Sequence, residues 1–209
     1  GLAMGAIEAG MCDTVAVFRS MNGYSNIRIG GTGARAASAI SGLDLMKRPY
    51  GLISAVQNFA FNFTKHMSQY GVKSEDLAHI KMAHSNHASN NPKALMKQRV
   101  TVQDVMDSRW IIRPVAHLLD CCLETDNATC IIVTSAERSR NLRQTPINIL
   151  GAQGRGTKPG GDFHVQHGDL GRVAGHYVGP RIFELAGVKH EDIDVTGCYD
   201  AFTYTVLLQ

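Results

Sequence analysis

The chain has 209 residues, 44% of them hydrophobic, and a formal net charge of +3 at neutral pH. That apolar fraction supports a buried core and has none of the polar bias of a disordered chain. The charge is small and its lysines and arginines are scattered, which argues against a nucleic-acid partner.

Five cysteines, two of them adjacent at Cys121 and Cys122, argue against a disulfide framework and favour a cytoplasmic location. No apolar run approaches the roughly 20 residues of a membrane span, so we expect none. No spacing typical of metal ligands occurs either, and we expect no bound metal.

The first third of the chain predicts a helix, a strand, a loop and a second helix. "GLAMGAIEAG" is typical of the back half of a helix ending at Gly10, and "DTVAVFRS" of a buried strand. The stretch from Ser20 to Pro49, rich in Gly, Ser and Asn, predicts a long functional loop. Helical spacing then predicts an amphipathic helix that Gly71 ends; its apolar positions are Ile53, Val56, Phe59, Phe63, Met67 and Tyr70.

Two helix starts are predicted in the middle of the chain. Ser74 is the predicted N-cap of a helix that "NNP", beginning at Asn90, brings to an end. Thr101 and Asp104 resemble a capping box that opens a short helix running through Met106. A connecting segment begins at Arg113 and Pro114.

The rest of the chain alternates strand-like and helical segments. "CIIVTS" predicts a buried strand, Ser135 caps a short helix, and "PINIL" predicts a third strand. "GAQGRGTKPGG", with five glycines, must be a loop, and "GPRIFELAG" predicts a helix with Pro180 in its first turn and Gly187 just past its end. This alternation favours an α/β fold with covered sheets.

The junction at Tyr199 is the strongest functional signal. In "IDVTGCYDAF" the strand-like run ends at Cys198 and Asp200 is a plausible helix N-cap, so that Tyr199 would lie at the carboxyl end of a strand. Ligands of open α/β sheets bind at that edge, and a phenol there can give or take a proton. Alternatively, "FTYTVLL" continues the strand and Tyr199 is an ordinary buried tyrosine.

Several long blocks resemble the thiolase superfamily, most closely its lipid-transfer-protein or sterol-carrier-protein-X type. In chain order they are "AIEAGMCDTVAVFRS", "PYGLISAVQNFAFNFTKHMSQYGVKSEDLAHI", "HASNNPKAL", "TVQDVMDSRWIIRPVAHLLDCCLETDNATCIIVTSAE" and "VGPRIFELAGVKHEDIDVTGCYDAFTYTVLLQ". The resemblance implies an incomplete, five-layered α/β/α/β/α sandwich. It assigns 1–118 to the N-terminal half and 119–209 to the first part of the C-terminal half.

The same resemblance implies roles for individual residues. "YDAFT" matches the family's "NEAFA", so Tyr199 replaces an asparagine that positions an oxyanion-hole water, and it becomes the candidate catalytic acid or base. The candidate contacts for the substrate are Phe202 of this block and His176 and Tyr177 of "HYVGP". Cys122 matches a small residue lining the pantetheine channel. The cysteines are otherwise expected to be small buried residues.

The resemblance implies an enzyme that makes or breaks a carbon–carbon bond in a coenzyme A thioester, with no tightly bound cofactor. Retro-aldol cleavage in lipid or steroid side-chain degradation is favoured. The alternatives are a thiolytic or Claisen acyltransferase and a non-catalytic acyl-CoA-binding subunit. The resemblance also implies a homodimer and a zinc-ribbon/OB-fold partner, and a fragment whose family nucleophile and catalytic histidine lie beyond its ends.

Overall fold

A computed structural model describes residues 1–27, 45–46, 48–52, 54–153 and 173–209. These residues fall into two compact units. Unit one consists of residues 1–26, 125–153 and 174–196, and unit two contains the described residues between 27 and 124 together with 197–209. The predicted division of the longer family fold at residue 118 stays a prediction.

The described residues form both helices and strands. The helices are α1 (Leu2–Glu8), α2 (Ala55–Tyr70), α3 (Ser74–Ser89), α4 (Val102–Asp107), α5 (Ala136–Ser139), α6 (Ala174–Ala186) and α7 (Thr203–Leu207). The strands are β1 (Thr14–Asn22), β2 (Trp110–Ile112), β3 (Ala116–His117) and β4 (Asp126–Thr134). No helix in the described part of the chain combines the length and the hydropathy that crossing a bilayer requires.

Unit one is built on an antiparallel ribbon of β1 and β4, paired from Thr14 with Thr134 to Asn22 with Asp126. Both strands were predicted from their β-branched residues, and both are confirmed as strands. The expected burial is wrong, because Phe18, for example, is 74% exposed. Within the described ranges each of the two strands pairs only with the other, and a two-stranded ribbon has too few neighbours to cover its side chains.

Unit two holds the apolar core. Its buried members are Phe63, Leu77, Val115, Ala116 and Tyr204. The amphipathic prediction for α2 is confirmed, and the helix ends where Gly71 adopts a left-handed backbone with φ of 70°. Such a φ favours glycine because a Cβ would crowd the following carbonyl.

The helix caps agree with the sequence in two of three cases. Thr101 and Asp104 form the predicted capping box, since Asp104 N–H donates to Thr101 Oγ1 at 3.1 Å and Thr101 N–H donates to Asp104 Oδ2 at 2.7 Å. The Thr101 N–H and the Thr101 hydroxyl both lie within hydrogen-bond distance of Asp104 Oδ2, and these contacts lower the pKa of the Asp104 carboxyl. Ser135 also caps its helix by accepting from Arg138 N–H at 3.2 Å.

The third prediction, Ser74 as N-cap, is wrong by one residue. Ser74 is the first helical residue of α3, and Lys73 is the N-cap. The Asp76 carboxylate accepts from Lys73 N–H at 2.7 Å, which satisfies the free N–H group, while the Ser74 hydroxyl donates to Pro114 O at 3.1 Å instead. The hydroxyl therefore stabilises a tertiary contact and not the helix end.

Three other predictions are corrected. "PINIL" forms no strand, because a strand needs a partner and the described residues offer it none. Pro180 lies in the middle of α6 and not in its first turn, although Gly187 does follow the helix with φ of 66°. The run predicted as a loop from Ser20 begins as the end of β1. Three predicted features lie outside the described residues: Ile53, most of that loop, and the glycines between positions 154 and 161.

Leu77→Ala should lower the free energy of unfolding by about 2–5 kcal/mol, because it removes a core side chain and leaves a cavity. The matched control is Leu95→Ala, since Leu77 is 1% exposed and Leu95 is 75% exposed. Urea denaturation of the complete natural protein measures both. Equal losses in the two variants would contradict the assigned core.

Candidate active site

The segment that carries Tyr199 lies beside the cysteine pair. Cys122 N–H donates to Ala201 O at 3.0 Å, and an isolated antiparallel bridge joins Cys121 to Phe202. Cys122, Tyr199 and Phe202, three of the five predicted site residues, therefore belong to one region of unit two. Their proximity results from pairing between two parts of the chain about 80 residues apart.

Tyr199 occupies a different setting from the predicted one. Residues 193–200 contain no strand, α7 begins at Thr203, and its N-cap is Phe202 and not Asp200. The alternative, a strand continuing through "FTYTVLL", is wrong as well, since Thr203–Leu207 is helical. The Thr205 hydroxyl accepts from Phe202 N–H at 3.1 Å and so stabilises the helix start. Tyr204 is the buried tyrosine of this segment, whereas Tyr199 is 72% exposed.

The backbone of Tyr199 is fixed by side chains that follow it. Tyr199 N–H donates to Gln209 Oε1 at 3.1 Å, and Gln209 Nε2 donates back to Tyr199 O at 2.8 Å. The Thr205 hydroxyl shares its one hydrogen between the same carbonyl, at 3.1 Å, and Phe202 O, at 2.7 Å. Both backbone polar groups of Tyr199 are therefore hydrogen-bonded although no sheet contains them.

A buried carboxylate joins the two paired segments. Asp120 Oδ1 accepts from the Thr203 hydroxyl at 2.7 Å, and its Oδ2 accepts from His117 N–H at 2.8 Å. Asp120 and Thr203 are both buried. Because a buried carboxylate is costly unless it is hydrogen-bonded, these donors fix where α7 starts relative to Asp120.

His117 completes this network. Its ring is fully buried, stacks against Trp110 with a centroid separation of 3.6 Å, and places Nδ1 3.4 Å from Asp120 Oδ2. Neither ring nitrogen has a hydrogen-bond partner among the described residues. The histidine thus lies inside unit two and is shielded from solvent.

Neither adjacent thiol is set up as a nucleophile. Desolvation, followed by the charge of Asp120, raises the pKa of Cys121 to about 11. Desolvation, followed by the charge of Asp200, raises the pKa of Cys122 as well. A catalytic cysteine needs the opposite shift, because the thiolate is the attacking form. The expectation of burial is wrong for Cys122 and Cys130, which are exposed.

The cavity inside unit two is too small for a substrate. It has a volume of about 20 Å³ and is lined mainly by apolar core residues, with Asp120 and Thr203 at its wall. That volume admits about one water molecule, whereas small-molecule pockets measure about 300–1,000 Å³. Phe202 lines this cavity and also contacts Phe59 at a ring separation of 5.1 Å.

His176 and Tyr177 lie on α6 and belong to unit one. The other three predicted site residues belong to unit two. Both side chains are exposed, and their rings meet edge to face at 5.1 Å. In the described ranges, no group of three or more His, Cys, Asp and Glu side chains is arranged to hold a metal ion.

Sequence reasoning did not find Asp120, Thr203 or Gln209. An acid three residues after His117 is a possible capping signal, and it could have pointed to Asp120. Nothing local marks Thr203 or Gln209, since each acts on a residue that only the folded chain brings near.

Comparisons with known proteins identify the fold and show which proteins the chain resembles. No family model matches the chain. The chain is 35% identical to a steroid side-chain-cleaving aldolase of Thermomonospora curvata, over 98% of this chain and 54% of that protein. It is 33% identical to a 17-hydroxy-3-oxo-4-pregnene-20-carboxyl-CoA lyase of Mycobacterium tuberculosis, with the same two coverages.

A solved structure named Ltp2-ChsH2(DUF35) aldolase superposes with a TM-score of 0.85 at 32% identity, over 99% of this chain and 53% of that one. Thiolases are also similar. The chain therefore has an α/β fold like that of the aldolase structure. Its relatives are SCP2-thiolase-like proteins, and it spans about half the length of the aldolase and the lyase named above.

Thr203→Val should lower the free energy of unfolding by about 1–3 kcal/mol, because it leaves a buried carboxylate oxygen of Asp120 without its donor. Thr203→Ser keeps the hydroxyl and is the matched control. Thermal or urea unfolding of the complete natural protein measures both variants. Wild-type stability in Thr203→Val would contradict the stabilising role of this hydrogen bond.

Cys122 should alkylate slowly at neutral pH although it is exposed, because its raised pKa keeps the thiol protonated. Asp200→Asn removes a charge that raises this pKa and should speed the reaction with iodoacetamide about twofold to fivefold. Peptide-resolved mass spectrometry measures the rate across pH. Asp107→Asn is the control, and an equal acceleration there would contradict the proposed electrostatic cause.

Proposed function

We propose that the protein is a lyase that cleaves a β-hydroxyacyl-coenzyme A thioester by a retro-aldol step in lipid or steroid side-chain degradation. The observation that carries this proposal is the 35% and 33% identity, over 98% of this chain, to an aldolase and a lyase. The superposition with an aldolase structure gives further support.

The reaction needs one well-placed proton acceptor and donor. A base removes the proton of the β-hydroxyl group, the bond between the α- and β-carbons breaks, and the β-carbon leaves as a carbonyl. The bonding electrons form an enolate on the thioester, which takes up a proton to give the shortened acyl-CoA. The atoms balance without an oxidant or a metal.

Tyr199 is the proposed acid or base. Its side chain is mostly exposed and its backbone is fixed on both polar groups, so the phenol is accessible from a held position. A phenol in such a place can exchange a proton with a substrate hydroxyl.

The other site residues would shape the substrate channel. Cys122 would line the pantetheine path as a small neutral residue, a role that its raised pKa favours over attack. Phe202, His176 and Tyr177 would contact the acyl group through ring surfaces. The complete enzyme would work in the cytoplasm without a tightly bound cofactor, as a homodimer and with a zinc-ribbon/OB-fold partner.

Thiolytic or Claisen chemistry is the second candidate, because thiolases are also similar to the chain. That chemistry needs an activated cysteine. The pKa values of Cys121 and Cys122 are raised, which favours the lyase over a thiolase that uses either thiol.

Tyr199→Phe should reduce kcat by about 10²–10⁴-fold, because it removes the proton-transferring hydroxyl and keeps the ring. The assay incubates the complete natural protein, with its partner where one is needed, with a β-hydroxyacyl-CoA and no added coenzyme A, and it quantifies the carbonyl product. Tyr50→Phe is the exposed control.

The outcomes separate the candidates. Wild-type turnover in Tyr199→Phe would overturn the role of Tyr199 and leave the lyase standing. Product formation only after coenzyme A is added would favour thiolysis. Binding of the thioester with no turnover under either condition would favour a non-catalytic subunit.

A further inference from the structure

We propose that Gln209 is a positioning residue: its carboxamide pairs with both backbone polar groups of Tyr199 and thereby sets the place of the phenol. The inference rests on the proposed function and deepens it. It concerns a residue that makes no contact of its own with the reacting atoms.

The phenol has no anchor of its own. Tyr199 is mostly exposed, and among the residues that the structure describes no hydrogen bond or ring contact holds its side chain. The position of its oxygen therefore depends on its backbone and its side-chain rotamer. The backbone is held by Gln209 and Thr205, since residues 193–200 form no strand.

Gln209 acts on Tyr199 as a neighbouring strand would. Its Oε1 accepts from Tyr199 N–H at 3.1 Å, and its Nε2 donates to Tyr199 O at 2.8 Å. This pair reproduces the two hydrogen bonds that a residue exchanges in an antiparallel ladder. The carboxamide thus makes the two backbone hydrogen bonds that a neighbouring strand would otherwise make.

A third contact fixes which way the carboxamide faces. Nε2 also donates to Thr205 O at 2.8 Å, within the last helix. Rotating the amide by a half-turn would place its oxygen against two carbonyls and its NH₂ against an N–H, and three favourable contacts would become repulsive. Only the glutamine orientation found here satisfies all three partners.

The pairing of the Gln209 carboxamide with the Tyr199 backbone is called the clamp below. Gln209→Glu tests the clamp because the shape of the side chain stays nearly the same. The carboxylate keeps an acceptor for Tyr199 N–H, but it loses both donors and places negative charge against two carbonyl oxygens. Tyr199 should shift relative to the substrate. A displacement of about 1 Å at a reacting group can cost about a hundredfold in rate.

The experiment uses the complete natural protein and the β-hydroxyacyl-CoA cleavage assay. Gln209→Glu should lower kcat by about tenfold to a hundredfold and change KM much less, since the substrate-contacting groups remain. In a Tyr199→Phe background the same substitution should have little further effect, because its action passes through the phenol.

Gln57→Glu is the matched control. Gln57 also accepts from a backbone N–H, that of Ser54 at 2.9 Å, and donates to a backbone carbonyl, that of Gly51 at 2.9 Å, at the start of α2. It should leave kcat close to the wild-type value. A loss in Gln57→Glu equal to that in Gln209→Glu would mean a general effect on folding and would overturn the positioning role.

Two further results would also overturn it: wild-type kcat in Gln209→Glu, or multiplicative losses in the double variant. A wild-type protein without lyase activity would instead defeat the proposed function. The clamp is then judged by amide hydrogen exchange at Tyr199, which should quicken in Gln209→Ala and stay unchanged in Gln57→Ala. An unchanged exchange rate in Gln209→Ala would remove the clamp itself.

Discussion

The geometry of the candidate site depends on one buried carboxylate. Asp120 receives the backbone N–H of His117 on one oxygen and the hydroxyl of Thr203 on the other. Burying this charge is favourable only while both donors are present, so the start of α7 and the segment after β3 must stay together. The pairing of Cys122 with Ala201 lies directly beside this contact.

Side chains, and not a β-sheet, hold the backbone of the segment that carries Tyr199. Residues 193–200 adopt no strand, yet both polar backbone groups of Tyr199 are hydrogen-bonded, because Gln209 and Thr205 reach back to them. The same short helix therefore contacts Asp120 through its first residue, and Thr205 within it and Gln209 just past its end hold Tyr199. The hydrogen bonds of this short segment therefore connect the buried core to the residue that carries the exposed phenol.

Several local signals predicted the structure correctly because they need only neighbours in sequence, although the N-cap predictions at Ser74 and Asp200 are wrong. The amphipathic face of α2, the left-handed end at Gly71 and the Thr101–Asp104 capping box each lie within one element. Strands are different, since "PINIL" and the run before Tyr199 have β-forming residues but no partner among the described residues. Propensity without a partner does not make a strand.

The candidate site was only partly accessible to sequence reasoning for the same reason. Tyr199 drew attention through a family block, while the contacts that hold it were invisible. The bond from Thr203 to Asp120 spans 83 positions, and that from Tyr199 to Gln209 spans 10. The thiols show the same dependence on the fold: desolvation by burial, followed by the charges of Asp120 and Asp200, raises the pKa values of Cys121 and Cys122, so both thiols stay protonated at neutral pH. Attack by either of these two thiols is therefore disfavoured.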